Sequence, residues 1–375
     1  MTSGREGKLF VLRQKVARFA EREIASRTDL HSAQEFPYEI WHRIGEEGLL
    51  GLNLPLLYGG LGYRQPLVTV AGETLVERGH NMGLGLSWLI HILVSRFLIM
   101  RFGGKAQREE YLHRLSTGKI TAAFAISEPE AGTHPKYLKT SASRRGDFYA
   151  LDGEKVSITN GPIADLFVVI AITGVDAGRN RFSAFLVPRD TPGLSLTSGK
   201  FLDCLRPSPH CGIRLEHCRI PASAILGAKG AAYEKMVKPF RILEDIYLMG
   251  VVAGGMERQM ALALNAIRKQ GGNLSDEIKS RLGGLRSLLD SLKMLAHKAA
   301  RFSVTVVLRP ELLSFSLSFR NLSDHFQMLF EQLLSEAGIE KDSSLRHLTS
   351  DLVRTNGIAS RATLANQRKL GESLL

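Results

Sequence analysis

The stretch Phe124-Ala125-Ile126-Ser127-Glu128-Pro129-Glu130-Ala131-Gly132-Thr133, continued to Thr159-Asn160-Gly161, decides how the rest of this chain is read. Before it, apolar residues recur at helical spacing. From it onward they gather in short runs broken by turn residues, which marks strands. Ser127 and Thr159 place small hydroxyls at the ends of two apolar runs. Hydroxyls both donate and accept, so the pair suits the edge of a flat polar ligand, and equally suits ordinary turn hydrogen bonding. Between the runs, Asp147-Phe148-Tyr149-Ala150-Leu151-Asp152-Gly153-Glu154-Lys155 reads as a hairpin-like turn.

Working outward, Ala122-Ala123-Phe124-Ala125-Ile126, Phe148-Tyr149-Ala150-Leu151, Leu166-Phe167-Val168-Val169-Ile170-Ala171, Phe182-Ser183-Ala184-Phe185-Leu186-Val187 and Ile213-Arg214-Leu215-Glu216 are strand candidates, and Pro188, Pro192, Pro207 and Pro209 exclude long helices among them. Upstream, Phe10, Val11, Leu12, Val16, Phe19 and Ile24 recur at helical spacing. A second helix begins near Pro37 and is interrupted by Gly48, Gly51, Pro55 and Gly59-Gly60-Leu61-Gly62. Residues 67–78, 81–101 and 105–115 suggest three more, the middle one so apolar that its His91 is expected inside a core. Downstream, 232–269, 275–308, 311–336 and 344–370 read as amphipathic helices with breaks at Pro310 and Gly338, the pattern of a bundle. The predicted fold is α+β: an amino-terminal helical domain over 1–120, a central β-barrel or sandwich over 121–230, and a carboxyl-terminal four-helix bundle over 231–375.

The 375 residues are 44% apolar and 23% charged, ordinary for a folded protein with a sizeable core. The net charge of +12 suits acidic partners, but no aromatic-basic ladder accompanies it, so no nucleic acid is expected. Cys204, Cys211 and Cys218 lie seven residues apart, which fits neither a disulfide framework nor a tight zinc site, and no metal is expected. No signal segment and no run of membrane-spanning length is apparent, so the default expectation is a cytoplasmic protein without a membrane partner.

Three motifs carry a family resemblance. Phe36-Pro37-Tyr38-Glu39-Ile40-Trp41-His42-Arg43-Ile44-Gly45-Glu46-Glu47-Gly48-Leu49-Leu50-Gly51, followed by Pro55-Leu56-Leu57-Tyr58-Gly59-Gly60-Leu61-Gly62, resembles the amino-terminal signature of the acyl-CoA dehydrogenase family. Ser127-Glu128-Pro129-Glu130-Ala131-Gly132-Thr133 and Leu151-Asp152-Gly153-Glu154-Lys155-Val156-Ser157-Ile158-Thr159-Asn160-Gly161 resemble its two central motifs, and the likeness spans nearly the whole chain. The resemblance implies FAD, with Phe124, Ile126, Ser127, Gly132, Thr133, Ser157 and Thr159 at the cofactor. Gly132 would let the amides of residues 130–133 approach a phosphate. Ser157 stands where the family often has a large aromatic beside the flavin, and Thr133-His134 replaces the more usual Ser-Asp. Both changes alter the pocket, either widening it or marking a site no longer used.

Oxidising a thioester across Cα and Cβ needs a base for the α proton while the flavin takes the β hydride. The stretch Asp351-Leu352-Val353-Arg354-Thr355-Asn356-Gly357 resembles the commonest base-bearing motif, but places Asn356 where the glutamate would stand, and an amide takes no proton. A smaller branch, including isovaleryl-CoA dehydrogenase-like enzymes, carries the glutamate on the first long helix of the last domain. Leu243-Glu244-Asp245 lies there, with glycines six and ten residues after Glu244, and Glu244 is the expected base. The plainer alternative is a solvated carboxylate paired with Arg241 or Arg258. Asp245 replaces that branch's arginine, but neighbours on a helix point about 100° apart and need not share one pocket.

The family clasps FAD with a neighbouring subunit; Arg268 and Gln332 are the residues left in two weakened versions of those motifs. A homodimer or homotetramer is therefore expected. The implied activity is FAD-dependent dehydrogenation of an acyl-CoA or acyl-carrier-protein thioester, with an electron-transfer flavoprotein as a possible partner. The alternatives are a flavin-dependent monooxygenase and a non-catalytic binding or assembly protein. Lys269, Lys279, Arg281, Arg286, Lys293 and Arg301 suggest a basic face for CoA phosphates or an acidic carrier, while Leu84, Leu86, Trp88, Leu89 and Ile90 would line an acyl cavity or fill a core.

Overall fold

The computed structural model describes residues 3–198, 204–271, 273–303, 310–357, 367–368 and 370–372. Five helices come first: α1 (Ser3–Phe19), α2 (Tyr38–Glu46), α3 (Pro66–Gly79), α4 (Met82–Leu93) and α5 (Lys105–Ser116). Pro37 occupies the N-cap of α2 and Pro66 the first turn of α3, where no amide is needed. The Asn81 side chain caps α4 by accepting from the Leu84 amide at 2.8 Å. Every residue of α4 is buried, which explains why its sequence lacks a polar face. With its π-helical continuation it does reach membrane-spanning length, Met82–Met100, contrary to the expectation from sequence; 94% of that window is covered by the rest of the protein. His91 lies wholly inside, its Nε2 3.0 Å from the Leu115 carbonyl.

The strands are β1 (Ala122–Ala125), β2 (Ser141–Arg145), β3 (Phe148–Thr159), β4 (Leu166–Asp176), β5 (Arg179–Pro188), β6 (Leu194–Ser198), β7 (His210–Pro221) and β8 (Ile225–Leu226). Their order is β6-β7-β3-β2-β4-β5-β8, with β1 parallel to β4. Ala122 faces Leu166 and Ser141 faces Ile172, so β1 and β2 occupy successive parts of one edge of β4. Among the described residues the ends β6 and β8 do not pair, and the arrangement is a sandwich, not a closed barrel. Alternate residues of β4 enter different cores: Leu166, Val168 and Ile170 pack towards the helices, Phe167, Val169 and Ala171 against β3, β5 and β7. Burial on both faces accounts for its unbroken apolar run.

One expectation is corrected here. Only Asp147 of the stretch 147–155 lies in a hairpin turn, the Gly146-Asp147 reversal where Arg145 pairs with Phe148; residues 148–155 belong to the single long strand β3. Asp152-Gly153 is a bulge against β7, because Gly153 runs so close to Thr140 that a Cβ there would meet its hydroxyl at 2.5 Å. Asp-Gly serves turns and bulges alike, and only the partner strand decides. The short strands β2, β6 and β8 carry little apolar signal.

Four helices follow: α6 (Lys238–Gln270), α7 (Asp276–Phe302), α8 (Pro310–Glu336) and α9 (Ser343–Gly357). The expected ends of two of these at 308 and 370, and Gly272 in the proposed clasp loop, fall on or beyond residues outside those described. Helix α6 lies directly on α3, since a Cβ on Gly250 or Gly254 would come within 2.4 Å of the Thr69 carbonyl or 2.2 Å of the Glu73 carbonyl. Glu73, fully buried, takes His297 at 2.7 Å, Arg13 at 3.3 Å and Lys293 at 3.4 Å, binding α1, α3 and α7 together. Gly254→Ala is expected to cost about 1–3 kcal/mol by forcing the helices apart. Gly284→Ala, on an exposed face of α7 with nothing nearby, should gain roughly 0.5–1 kcal/mol from helix propensity. Urea denaturation of both variants tests this contrast.

Candidate active site

A cleft holding about 490 Å³ of empty space opens where α4, the β1–β2 connection, β3 and α6 meet. Ile90 comes from α4; Phe124, Ile126, Ser127 and Thr133 from β1 and the loop after it; Val156, Ser157 and Thr159 from β3; Phe240, Arg241 and Glu244 from α6. Seven cofactor and catalytic candidates from the sequence, Phe124, Ile126, Ser127, Thr133, Ser157, Thr159 and Glu244, are thus brought together, with Gly132 adjoining them. Leu84, Leu86, Trp88 and Leu89 are core, leaving only Ile90 of that group on the cleft.

The loop carrying Ser127 and Thr133 is pinned to β3 by a buried ion pair. Lys155, with 0% of its side chain exposed, donates to Glu128 at 2.9 Å and to the Ile126 carbonyl at 3.1 Å. Glu128 also accepts from the amides of Lys139 at 2.6 Å and Thr140 at 2.9 Å. The Val156 amide donates to the Ser127 carbonyl at 2.8 Å, setting Ser127 beside β3. A second bulge, between Lys155 and Ile158, puts Ser157 at φ 57° and turns both Ser157 and Thr159 to the cleft. A β-branched side chain at position 157 would be strained in that conformation.

Across the cleft, Phe240 packs edge-on against Phe124, ring centres 4.6 Å apart. Arg241 donates to the Thr133 hydroxyl at 2.6 Å, and the Tyr233 hydroxyl donates to the Thr133 carbonyl at 2.9 Å. Glu244 makes no hydrogen bond or ion pair among the described residues, so the pairing with Arg241 or Arg258 does not form. Burial, and then the negative charge of Asp245, push its carboxyl up to about 7, while Arg241 and Arg320 pull the other way. Asp245 itself turns to α8 and pairs with Arg320 at 3.0 Å. Arg320 also donates to the Asn356 carbonyl at 3.0 Å. Asn356 and Asp245 line a separate, smaller hollow with Leu248, Met249 and Phe319.

Arg268 and Gln332 lie outside this cleft; Gln332 is engaged by Arg281 at 2.9 Å near the exposed end of α8. The basic face is largely neutralised, because Lys279, Arg281, Arg286 and Lys293 each pair with a carboxylate. Sequence reading missed Ile90's neighbours on the cleft, Val156, Phe240 and Arg241. Phe240 and Arg241 carried one usable signal, lying one helical turn before Glu244 on the same face.

The donor set suits a flat, many-acceptor group followed by a phosphate. Hydroxyls of Ser127, Ser157 and Thr159 line a cleft with apolar walls, and the Thr133 amide donates to nothing among the described residues. A Cβ built on Gly132 meets nothing within 4 Å, leaving the approach to that amide open. These are the features an FAD ring and its diphosphate need.

Residues 10–119 match the model for the acyl-CoA dehydrogenase N-terminal domain and residues 123–218 that for the middle domain. The chain is 31% identical over 299 residues to the probable acyl-CoA dehydrogenase YngJ of Bacillus subtilis (strain 168), covering 77% of each. It is 37% identical over 256 residues to the mitochondrial isovaleryl-CoA dehydrogenase of Pongo abelii, covering 66% of this chain and 59% of that one. The matched stretch thus spans about three fifths of some of the curated relatives. In fold it is similar to the prolyl acyl carrier protein oxidase AnaB, with a TM-score of 0.87, 24% identity and 98% of both chains covered.

Lys155→Met leaves Glu128 buried without its cation and is expected to cost about 3–5 kcal/mol. Chemical denaturation measures the loss.

Proposed function

The chain belongs to the acyl-CoA dehydrogenase family, and from that premise we propose that it carries out FAD-dependent α,β-dehydrogenation of an acyl-CoA or acyl-carrier-protein thioester, with Glu244 as the base. The observation that carries this reading is an unpaired carboxylate facing a cleft whose opposite wall is lined by Ser127, Ser157 and Thr159. Bound FAD would supply the acceptor for the β hydride. Ser127 and Thr159 would hold the polar edge of its ring, and the Thr133 amide its diphosphate.

Glu244 takes the α proton only when ionised, and a carboxyl near 7 is well matched to that task. Its partner-free state matters, since an ion pair would lower its basicity. The Asp245–Arg320 pair keeps the adjacent negative charge turned to α8. Phe240 and Phe124, packed edge-on, supply apolar lining beside the base. Both thioester types suit the reading: the relatives just described include an isovaleryl-CoA dehydrogenase and an acyl-carrier-protein oxidase. A homodimer or homotetramer is the proposed assembly, because Arg268 and Gln332 lie outside their own chain's cleft and would meet FAD from a second copy. An electron-transfer flavoprotein is the proposed oxidant of reduced enzyme.

Glu244→Gln is expected to lower turnover about 100- to 10,000-fold while retaining parental FAD content, read from the absorbance spectrum of the purified protein. Unchanged turnover would remove Glu244 from the mechanism. In the parent, the rate should rise with pH through about 7 as Glu244 ionises. The folded pKa lies above the ordinary carboxylate value, so this group's contribution to stability is present at low pH and lost as pH rises through about 7. The amide variant should therefore be no less stable than the parent above that pH, as thermal melts at two pH values would show.

A further inference from the structure

We propose that Arg241 adds a cationic contact, supplied by the same chain, to the phosphate site at the amide and hydroxyl of Thr133. The inference rests on the reading of the cleft as a flavin and thioester site and adds a ligand contact to it.

Arg241 and Glu244 are three residues apart on α6 and line the same cleft. Three arginines of the carboxyl-terminal helices are satisfied by carboxylates: Arg281 by Glu336, Arg286 by Glu257 and Asp290, Arg320 by Asp245. Arg241 differs. Its hydrogen bond among the described residues goes to a neutral hydroxyl, that of Thr133 at 2.6 Å, and no carboxylate pairs with it. A guanidinium offers five donors in a planar fork, and Arg241, which lines the cleft, uses one of its nitrogens on Thr133.

Thr133 is prepared for the same role. Its carbonyl is tied back by Tyr233, its amide has no acceptor among the described residues, and the turn before it holds Glu130 at φ 60° and Gly132 at φ 54°. Successive backbone amides in such turns form concave anion sites. A guanidinium, an amide and a hydroxyl converge, all able to donate, and the matching ligand is an oxyanion that accepts at several points. Phosphate fits an arginine fork with two parallel hydrogen bonds. The Thr133 hydroxyl holds the guanidinium in place until such a ligand arrives. A cation within this chain also compensates for the distance of Arg268, which the sequence pointed to for the same charge.

Two phosphates are chemically equivalent here, the diphosphate of FAD and the phosphates of CoA or a phosphopantetheine arm. Full-length parent, Arg241→Met and Arg241→Lys are titrated with FAD and riboflavin by flavin fluorescence, and with CoA and pantetheine by calorimetry. The methionine variant should bind FAD or CoA about 10- to 100-fold more weakly, with riboflavin and pantetheine unchanged and the lysine variant in between. Weakening confined to FAD assigns the subsite to the cofactor, and weakening confined to CoA assigns it to the thioester arm. If FAD and CoA both bind the methionine variant within about twofold of the parent, the subsite is overturned. The same holds if all four ligands weaken equally, or if the parent binds neither phosphate ligand. Should the methionine variant melt early, the lysine variant gives the readout. Turnover retained in Glu244→Gln would defeat the proposed base and leave these affinities untouched, so the two ideas fail separately.

Discussion

The Lys155 ammonium, shielded from water, lies between the Glu128 carboxylate and the Ile126 carbonyl. Burial pulls its pKa down to about 8, and Glu128 opposes that pull. A lone charge at this depth would destabilise the fold, so the pair exists only while β3 and the loop from residue 126 to 140 are in register. Glu128 extends the constraint by taking two loop amides as well. Ser127 and Thr133 therefore have a defined height above β3, and the bulge next to Lys155 turns Ser157 and Thr159 towards them. The polar wall of the cleft hangs on this one interaction.

The opposite wall is set by close packing of a different kind. Helix α6 approaches α3 to a depth that only Gly250 and Gly254 permit, and that depth brings Phe240, Arg241 and Glu244 to the cleft. Two adjacent carboxylates on this helix have opposite surroundings. Asp245 meets Arg320 and is neutralised; Glu244 is buried at the cleft and keeps its proton to about 7. Rotation between neighbouring helical residues thus separates a structural anion from a candidate base. Arg320 serves both, holding Asp245 away and moderating the proton affinity of Glu244.

The long elements were legible because their periodicity is strong. All of α4 read as apolar, and it is a core helix; the runs in β4 and β5 read as strands, and both are buried on two faces. Of the residues expected at the cofactor, Phe124, Ile126, Ser127, Thr133, Ser157 and Thr159 line one cleft with Glu244. The misreading of residues 147–155 has a local cause, since Asp-Gly is compatible with a turn until β7 appears alongside to make it a bulge. The pairing of the basic residues on α7 was only partly legible: Asp276 and Asp290 lie within four residues of Lys279 and Arg286, whereas Glu73, Glu257 and Glu336 are remote in sequence.

By itself the sequence determined the succession of helices, strands and helices, the family, and the identity of the small hydroxyl residues and the carboxylate at the cleft. These follow from periodicity and from residue types at short spacing, which are properties of the linear chain. Only the tertiary structure decided that Asp245 is paired while Glu244 has no partner among the described residues, that Arg241 rests on Thr133, and that Asn356 belongs to a different hollow. Partners and burial are set by elements that meet across more than a hundred residues of chain, as Arg241 and Thr133 do, and no local pattern encodes such meetings.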